Sequence, residues 1–240
     1  STPFRLSLHV GDVGHTLVVG PTGAGKSVLL ALMALQFRRY PRAQVFAFDF
    51  GGSIRACALA MQGDWHDLGG ELTDAAEASV SLQPLARIHQ TSERAWAADW
   101  IVAILMRENI QMTPEVKEYL WTALTSLASA PVGERTITGL AVLLQSNDLK
   151  QALRPYCVGG PYGRLLDAES EHLGSADVQA IEIEGLVGTG AAPAVLSYLF
   201  HRIGDRLGGQ PTLLIIDEGW LALDDEGFAD QLREWLKTLR

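Results

Sequence analysis

Residues 18–32 read VVGPTGAGKSVLLAL, and this stretch decides the class of fold. An apolar run is followed by a glycine-rich segment, then a lysine, a serine and apolar residues at helical spacing. Residues 20–27 match G-x-x-x-x-G-K-[ST] at every fixed position, after a predicted strand and before a predicted helix. In this context the pattern indicates a phosphate-binding loop.

The residue types of this loop suit the binding of a nucleoside triphosphate. Glycines let the backbone turn so that several N–H groups point at one anion, and the helix that follows adds positive partial charge. Lys26 is predicted to reach the β- and γ-phosphates during catalysis, and the Ser27 hydroxyl to ligate Mg²⁺. The predicted nucleotide-binding residues are Gly20, Pro21, Thr22, Gly23, Ala24, Gly25, Lys26, Ser27 and Val28.

A second motif lies near the end of the chain, where the apolar residues 213–216 precede Asp217 and Glu218. This pattern is typical of a buried strand that carries carboxylates to the ligand-binding edge of a parallel sheet. Asp217 is predicted to hold Mg²⁺ together with Ser27, and Glu218 to polarise the attacking water as a catalytic base. The alternative interpretation is an apolar strand that ends in a solvated acidic pair.

Glu218 also separates the classes of phosphate-loop protein. A kinase that acts on a small substrate excludes water and does not need a water-activating glutamate beside its metal ligand. Residues 49–52 satisfy the D-x-x-G pattern of a GTPase, but no guanine-reading N-K-x-D element follows, so Asp49 is interpreted as the polar end of a second strand. These features favour a nucleoside triphosphate hydrolase, with ATP as the predicted nucleotide.

The pattern along the chain predicts an α/β fold with a mainly parallel central sheet. Residues 4–10 alternate between apolar and polar side chains and, together with the apolar run 16–19, predict an N-terminal β-hairpin. Further strands are predicted at 44–49, 178–184 and 212–217, and helices at 27–40 and 194–207.

The middle of the chain has a different character. Over residues 72–166 apolar residues recur at helical spacing without β-type alternation, which predicts an all-α insertion. Residues 1–71 and 167–240 are then the two segments of one ATPase domain, and the later segment carries Asp217. Trp96, Trp100 and Trp121, at helical spacing within the insertion, are interpreted as core side chains rather than a base-stacking platform.

Composition restricts the possible partners. The chain has 28 acidic and 19 basic residues and a formal charge of −9, without a long basic cluster, so direct nucleic-acid binding is not expected. Cys57 and Cys157 match no metal or redox spacing and are interpreted as buried thiols in a reducing compartment. The six histidines are scattered, so Mg²⁺ bound with ATP is the only metal ion predicted.

Four longer segments carry a resemblance to a known family: FRLSLHVGDVGHTLVVGPTGAGKS, FAFDFGGSIRA, GGPYGRLLDAE and LLIIDEGWLALDDEGFADQLREWLKTLR. They resemble the carboxy-terminal ATPase domain of the VirB4 family, most closely its TrbE branch, over essentially the whole chain. These proteins are ATPases of bacterial conjugation and type IV secretion. They belong to a wider group of RecA-like motors that includes the FtsK and HerA DNA translocases and the conjugative coupling proteins.

The resemblance implies a RecA-like P-loop NTPase fold and a hexamer-forming, Mg²⁺-dependent ATPase. It places the protein in the cytoplasm, peripheral to the bacterial inner membrane, where it works with other secretion components in pilus assembly and substrate transfer. Position by position, it assigns the Walker A and Walker B residues to Lys26, Ser27, Asp217 and Glu218. It also suggests a catalytic arginine that acts on the neighbouring subunit's nucleotide, with Arg240 the best match and Arg233 a weaker one. A surface ion pair is the alternative for both arginines.

Two departures from the family pattern affect the expected activity. Family members carry a large amino-terminal domain, and a strand with a glutamine that senses the γ-phosphate is expected after Arg240. The chain begins Ser-Thr-Pro without an initiator methionine, so it is interpreted as a fragment of a longer protein whose turnover in isolation is open. Two alternative functions also stay open: a DNA translocase or coupling protein of the FtsK/HerA superfamily, and a non-hydrolysing ATP-binding assembly module.

Overall fold

The computed structural model describes residues 7–8, 14–69, 80–218 and 226–238. The strands in these ranges are β1 (Gln44–Asp49), β2 (Asp64–Asp67), β3 (Val178–Glu182) and β4 (Thr212–Ile216). The helices are α1 (Lys26–Phe37), α2 (Arg55–Ala60), α3 (Thr91–Arg107), α4 (Pro114–Leu127), α5 (Ile137–Leu143), α6 (Asn147–Leu153), α7 (Gly163–Leu166), α8 (Ala192–Gly204) and α9 (Glu226–Thr238). Among the described residues, no helix combines the length and the apolar character of a membrane span.

The four strands form one parallel sheet in the order β2–β3–β1–β4. Phe48 of β1 stands opposite Ile181 of β3 on one side and Ile216 of β4 on the other. This register aligns the carboxyl ends of the three strands. Asp49, Glu182 and the residues that follow β4 therefore meet at one edge of the sheet, as the strand-end acids predict.

Both faces of the sheet are covered, which explains why its central strand is apolar throughout. Val45 and Ala47 of β1 belong to a buried cluster with residues of α1 and α2. Phe46 and Phe48 belong to a larger cluster on the other face, where the Phe48 ring stacks on Phe200 of α8 at a centroid distance of 5.0 Å. This arrangement is the usual one for parallel sheets in α/β proteins.

The predicted insertion is helical over its described range, residues 80–166, which contain no strand. Its helices do not form a separate core, because their buried residues belong to the same cluster as Phe46 and Phe48. Trp100 of α3 is buried, and its indole N–H donates to the carbonyl oxygen of Ala194 in α8 at 2.9 Å. The domain boundaries at 71/72 and 166/167 stay predictions.

The prediction that all three insertion tryptophans are core side chains is wrong for Trp121. Trp121 is 41% exposed, and the Arg94 guanidinium lies 5.4 Å from its ring centroid. The inward side of α4 is formed by Leu120, Ala123, Leu124 and Leu127. Trp121 stands one position beyond Leu120, and one residue turns a helix by about 100°, so its side chain leaves the buried stripe.

The Trp100 contact gives a stability prediction. Trp100→Phe is expected to lower the free energy of unfolding by about 1–3 kcal/mol, because it removes one buried hydrogen bond and leaves a small cavity between α3 and α8. Urea unfolding followed by circular dichroism measures the difference. Trp121→Phe is the matched control and is expected to change stability by less than about 0.5 kcal/mol, since the ring is partly exposed. Equal losses in the two variants would contradict the assigned burial.

The predicted strand at 16–19 is also wrong, since residues 14–20 form no strand in the structure. Leu17 and Val19 are 86% and 84% exposed, and the described sheet ends at β4 without pairing to this segment. An apolar run becomes a strand only where a neighbouring strand completes its hydrogen bonds. The Thr16 hydroxyl does approach the carbonyl oxygen of Leu8, at 3.5 Å. The other hairpin strand, 4–10, lies largely outside the described residues.

Candidate nucleotide-binding site

The predicted phosphate-binding loop adopts a glycine-dependent conformation. Gly23 and Gly25 have φ angles of 79° and 85°, in the left-handed region that favours glycine. A Cβ at either position would meet no atom within 4 Å, so backbone conformation and not crowding requires glycine there. The Ala24 N–H donates to the carbonyl oxygen of Pro21 at 3.2 Å and closes the turn.

The loop leads directly into the first turn of α1. Gly25 is the N-cap of this helix and provides no side-chain acceptor for the helix's first N–H groups. No acidic residue stands in that first turn to compensate its partial positive charge. The loop residues are exposed. These features fit an external anion such as the phosphates of a nucleotide.

Lys26 lies over this loop. Its Nζ donates to the carbonyl oxygen of Pro21 at 3.3 Å, a long hydrogen bond within the loop itself. The Lys26 side chain also passes 3.8 Å from the position that a Cβ of Gly20 would occupy. The ammonium group is therefore placed beside the backbone that is predicted to receive the phosphates.

The two predicted Mg²⁺ ligands are brought together although 190 positions separate them. The Ser27 hydroxyl donates to Oδ2 of Asp217 at 3.1 Å, which joins the start of α1 to the end of β4. Asp217 is 6% exposed, and its own N–H donates to the carbonyl oxygen of Phe48 at 2.9 Å. A buried carboxylate and a hydroxyl are oxygen donors of the kind that Mg²⁺ prefers.

Glu218 has an unusual backbone that the sequence did not indicate. Its φ is 47°, in the left-handed region, which costs a residue with a side chain about 1–2 kcal/mol. Its N–H donates to Oδ1 of Asp217 at 3.0 Å, so the same carboxylate that contacts Ser27 also fixes this turn. The turn separates the direction of Glu218 from the line of β4. Its catalytic role stays a prediction.

The two candidate arginines stand differently with respect to the structure. Arg240 lies outside the described residues. Arg233 is on α9, where its guanidinium pairs with Asp230 one turn earlier, and both side chains are largely exposed. For Arg233 the contact is therefore the surface ion pair that the sequence left as an alternative.

Asp49 is the site residue that the sequence interpretation undervalued. It is fully buried, and its carboxylate accepts hydrogen bonds from the N–H groups of Phe50 at 3.1 Å and Ile54 at 2.8 Å. It also accepts from the Ser53 hydroxyl at 2.5 Å. Asp49 thus determines the path of residues 50–54, beside Asp217. Its position at the end of an apolar strand was the available signal.

Glu182 supports the same loop from the neighbouring strand. It stands opposite Asp49 in the register of β1 and β3. Its carboxylate accepts from the N–H groups of Gly51, at 3.2 Å, and Gly52, and from that of Glu184 at 2.8 Å. A carboxylate that is 6% exposed and accepts several backbone N–H groups is a structural anchor.

A second cluster of titratable groups lies away from this site. Glu93, His201 and Asp205 have donor atoms within 4.8 Å of one another. The Arg87 guanidinium pairs with both carboxylates, at 2.8 Å from Glu93 and in close contact with Asp205. This guanidinium already provides the positive charge that the two carboxylates require, so we interpret the cluster as an ion-pair network. Its residues on α8 are near the helix end that leads to the start of β4, opposite the edge with Asp217.

Cys57 and Cys157 are both free thiols and half-buried. Burial raises the pKa of each thiol above its ordinary value, so both are protonated and unreactive near neutral pH. Each Sγ lies near a backbone carbonyl oxygen: that of Ala31 for Cys57, and that of Leu153 for Cys157. We interpret both thiols as structural.

Comparison with known proteins identifies relatives over the whole chain, although no family model matches it. The chain is 44% identical to a probable conjugal transfer protein TrbE of Sinorhizobium fredii, of which it covers 36%. It is also 44% identical to the conjugal transfer protein TrbE of Rhizobium radiobacter, of which it covers 29%. The chain belongs to the VirB4/TrbE family. The resemblance inferred from the motifs is thereby confirmed.

More distant members extend the comparison. The VirB4/TrbE chain is 26% identical to the type IV secretion system protein virB4 of Bartonella henselae, of which it covers 30%. The solved structure of VirB4 of Thermoanaerobacter pseudethanolicus matches 89% of the chain with a TM-score of 0.62 and 16% identity, over 62% of that structure. This likeness confirms the RecA-like α/β fold. The chain spans about a third of the length of the curated relatives that it matches.

Proposed function

We propose that this VirB4/TrbE domain is an ATP-hydrolysing motor domain of a bacterial conjugation or type IV secretion system. The observation that carries the proposal is the 3.1 Å contact between Ser27 Oγ and Asp217 Oδ2. It brings the phosphate-loop motif and the acidic strand end to one place, which a chance match of either motif would not do. The relatives named for conjugal transfer and type IV secretion supply the cellular process.

In the proposed reaction each group has one task. The N–H groups of the loop and of the first turn of α1 bind the triphosphate, and the Lys26 ammonium neutralises some of its charge. Ser27 and Asp217 are the residues that would hold Mg²⁺, which when bound offsets charge on the phosphates. Glu218 accepts the proton of the attacking water. The Glu218 N–H donates to Asp217, so the base and the predicted metal ligand keep a fixed relation.

We further propose that the longer protein assembles as a hexamer on the cytoplasmic side of the inner membrane, with other type IV secretion components as partners. The support is the family membership and the process in the relatives' names. The formal charge of −9 speaks against a direct grip on nucleic acid, because backbone phosphates require a basic surface.

Nucleotide binding is the first test. A fluorescent ATP analogue should bind the domain in the presence of Mg²⁺, and Lys26→Ala should raise the dissociation constant about 10- to 100-fold, the loss expected for one charge-assisted hydrogen bond. Lys117→Ala is the control, since Lys117 is exposed on α4 in the insertion. An unchanged dissociation constant in Lys26→Ala would remove the proposed site.

Turnover as a function of protein concentration then separates a motor from a passive module. Hydrolysis that rises steeply with concentration would show that complete sites form between subunits. Binding without hydrolysis at every concentration, including in single-turnover measurements, would instead support a nucleotide-binding assembly module. Stimulation by DNA would support a DNA translocase.

A further inference from the structure

Ser53 is placed between two carboxylates at the candidate site, and neither its sequence context nor the relatives assign it a task. Its Oγ lies 2.5 Å from Oδ1 of Asp49 and 3.4 Å from Oδ2 of Asp217. The position is fixed by the backbone, because the Ile54 N–H donates to the other oxygen of Asp49 at 2.8 Å. Ser53 therefore reaches Asp217 from the segment that follows β1, whereas Ser27 reaches it from the start of α1.

A hydroxyl carries one proton, so Ser53 cannot donate to both carboxylates at once. The shorter contact, to Asp49, takes the proton. The lone pairs of Ser53 Oγ then remain for whatever lies on the Asp217 side. Two oxygens that face each other without a proton between them repel, and a cation shared by both converts that repulsion into attraction.

Ser27 completes the set of oxygens around this point. Ser27 Oγ and Ser53 Oγ lie 3.1 Å and 3.4 Å from the same atom, Oδ2 of Asp217. Octahedral Mg²⁺ with ligands at about 2.0–2.1 Å holds adjacent ligand oxygens about 3 Å apart. The three oxygens are thus spaced as neighbours around one small cation.

We propose that Ser53 supplies a third protein oxygen to the Mg²⁺ site of Ser27 and Asp217, and that Asp49 positions it by taking the hydroxyl proton. The inference rests on the proposed function, because it specifies the ligands of the same site. It also gives a reason for the full burial of Asp49. This carboxylate holds the loop through two N–H groups and orients one hydroxyl oxygen toward the cation.

The test is the Mg²⁺ concentration that half-saturates binding of the fluorescent ATP analogue. Ser53→Ala is expected to raise this concentration about tenfold or more, the loss typical of a disturbed metal site. Ser53→Thr keeps the oxygen and is expected to stay within about threefold of the wild type. Ser126→Ala is the matched control, since the Ser126 hydroxyl bonds only within exposed α4, to the carbonyl oxygen of Thr122 at 3.0 Å.

A change of metal preference is a signature that a merely structural serine would not give. Ser53→Cys replaces the oxygen with a soft sulfur, so the variant is expected to need more Mg²⁺ but less Cd²⁺ than the wild type. Cys57 and Cys157 are present in every variant and form a common background. Thermal melts monitor folding, and if Ser53→Ala does not fold, the Thr and Cys variants carry the test.

Two different failures can be told apart. A Ser53→Ala curve that overlays the wild type, or a Ser53→Cys variant without the Cd²⁺ preference, overturns the role of Ser53 and leaves the proposed function intact. A wild-type domain that binds no nucleotide at any Mg²⁺ concentration overturns the proposed function and this inference together.

Discussion

Glu218→Gln is expected to lower ATP turnover by about 10²–10⁴-fold and to leave nucleotide affinity almost unchanged. Glutamine keeps the size of the side chain but cannot accept the proton of the attacking water. It also keeps the N–H that donates to Asp217 at 3.0 Å, so the turn after β4 and its predicted metal ligand are preserved. Phosphate release and binding of the fluorescent analogue, measured on the same preparation, separate catalysis from affinity.

A nearby carboxylate controls for the loss of charge. Glu184 is exposed two positions after Glu182, and its Oε2 lies 3.9 Å from the position of a Cβ on Gly51, at the same edge of the sheet. Glu184→Gln removes one negative charge from this edge without touching the predicted base, so its turnover should stay within about twofold of the wild type. Equal losses in Glu184→Gln and Glu218→Gln would assign the effect to electrostatics and contradict the role of Glu218 as base.

Arg240→Ala is expected to lower turnover by about 10³–10⁵-fold, the range observed for arginines that stabilise phosphoryl-transfer transition states. The expectation comes from the family resemblance. Arg233→Ala is the matched variant, because Arg233 pairs with Asp230 on the exposed side of α9 and should change turnover by less than about twofold. The measurement requires protein concentrations at which wild-type turnover has reached its maximum, so that subunit contacts are formed.

Mixing variants tests whether the arginine acts between subunits. Lys26→Ala lacks a working phosphate loop but retains Arg240, whereas Arg240→Ala retains the loop. In a mixed oligomer the first supplies the arginine to the nucleotide bound by the second, so turnover of the mixture should exceed that of either variant alone. A mixture without rescue contradicts action in trans, and a large loss in Arg233→Ala would transfer the role to that residue.

The features of the site that the sequence predicted share a physical basis. The spacing of glycines, lysine and serine in the loop is local, and local spacing determines which N–H groups converge. Asp217 follows an apolar strand, and parallel strands bring their carboxyl ends to one edge, so its proximity to Ser27 was predictable without coordinates. The same reasoning placed β1, β3 and β4, whose apolar runs reflect burial on both faces.

What the sequence did not predict depends on tertiary contacts. The β2 segment DWHD is four residues long and mostly polar, so only its pairing with β3 makes it a strand. Residues 16–19 have strand composition but form no strand in the structure. Ser53 carried no motif at all, because its significance arises from a carboxylate 164 positions away. Trp121 shows how one step along a helix reverses the burial of a large side chain.

The shared core of the insertion and the sheet has a mechanical consequence. Phe46 and Phe48 of β1 are packed in the same cluster as the buried residues of α3–α8. Close-packed interiors have low compressibility and transmit displacement. A shift of β1 by a fraction of an ångström at Asp49 would therefore swing the helical body as a lever arm, with its pivot at the sheet and its far end free to push on whatever the longer protein contacts.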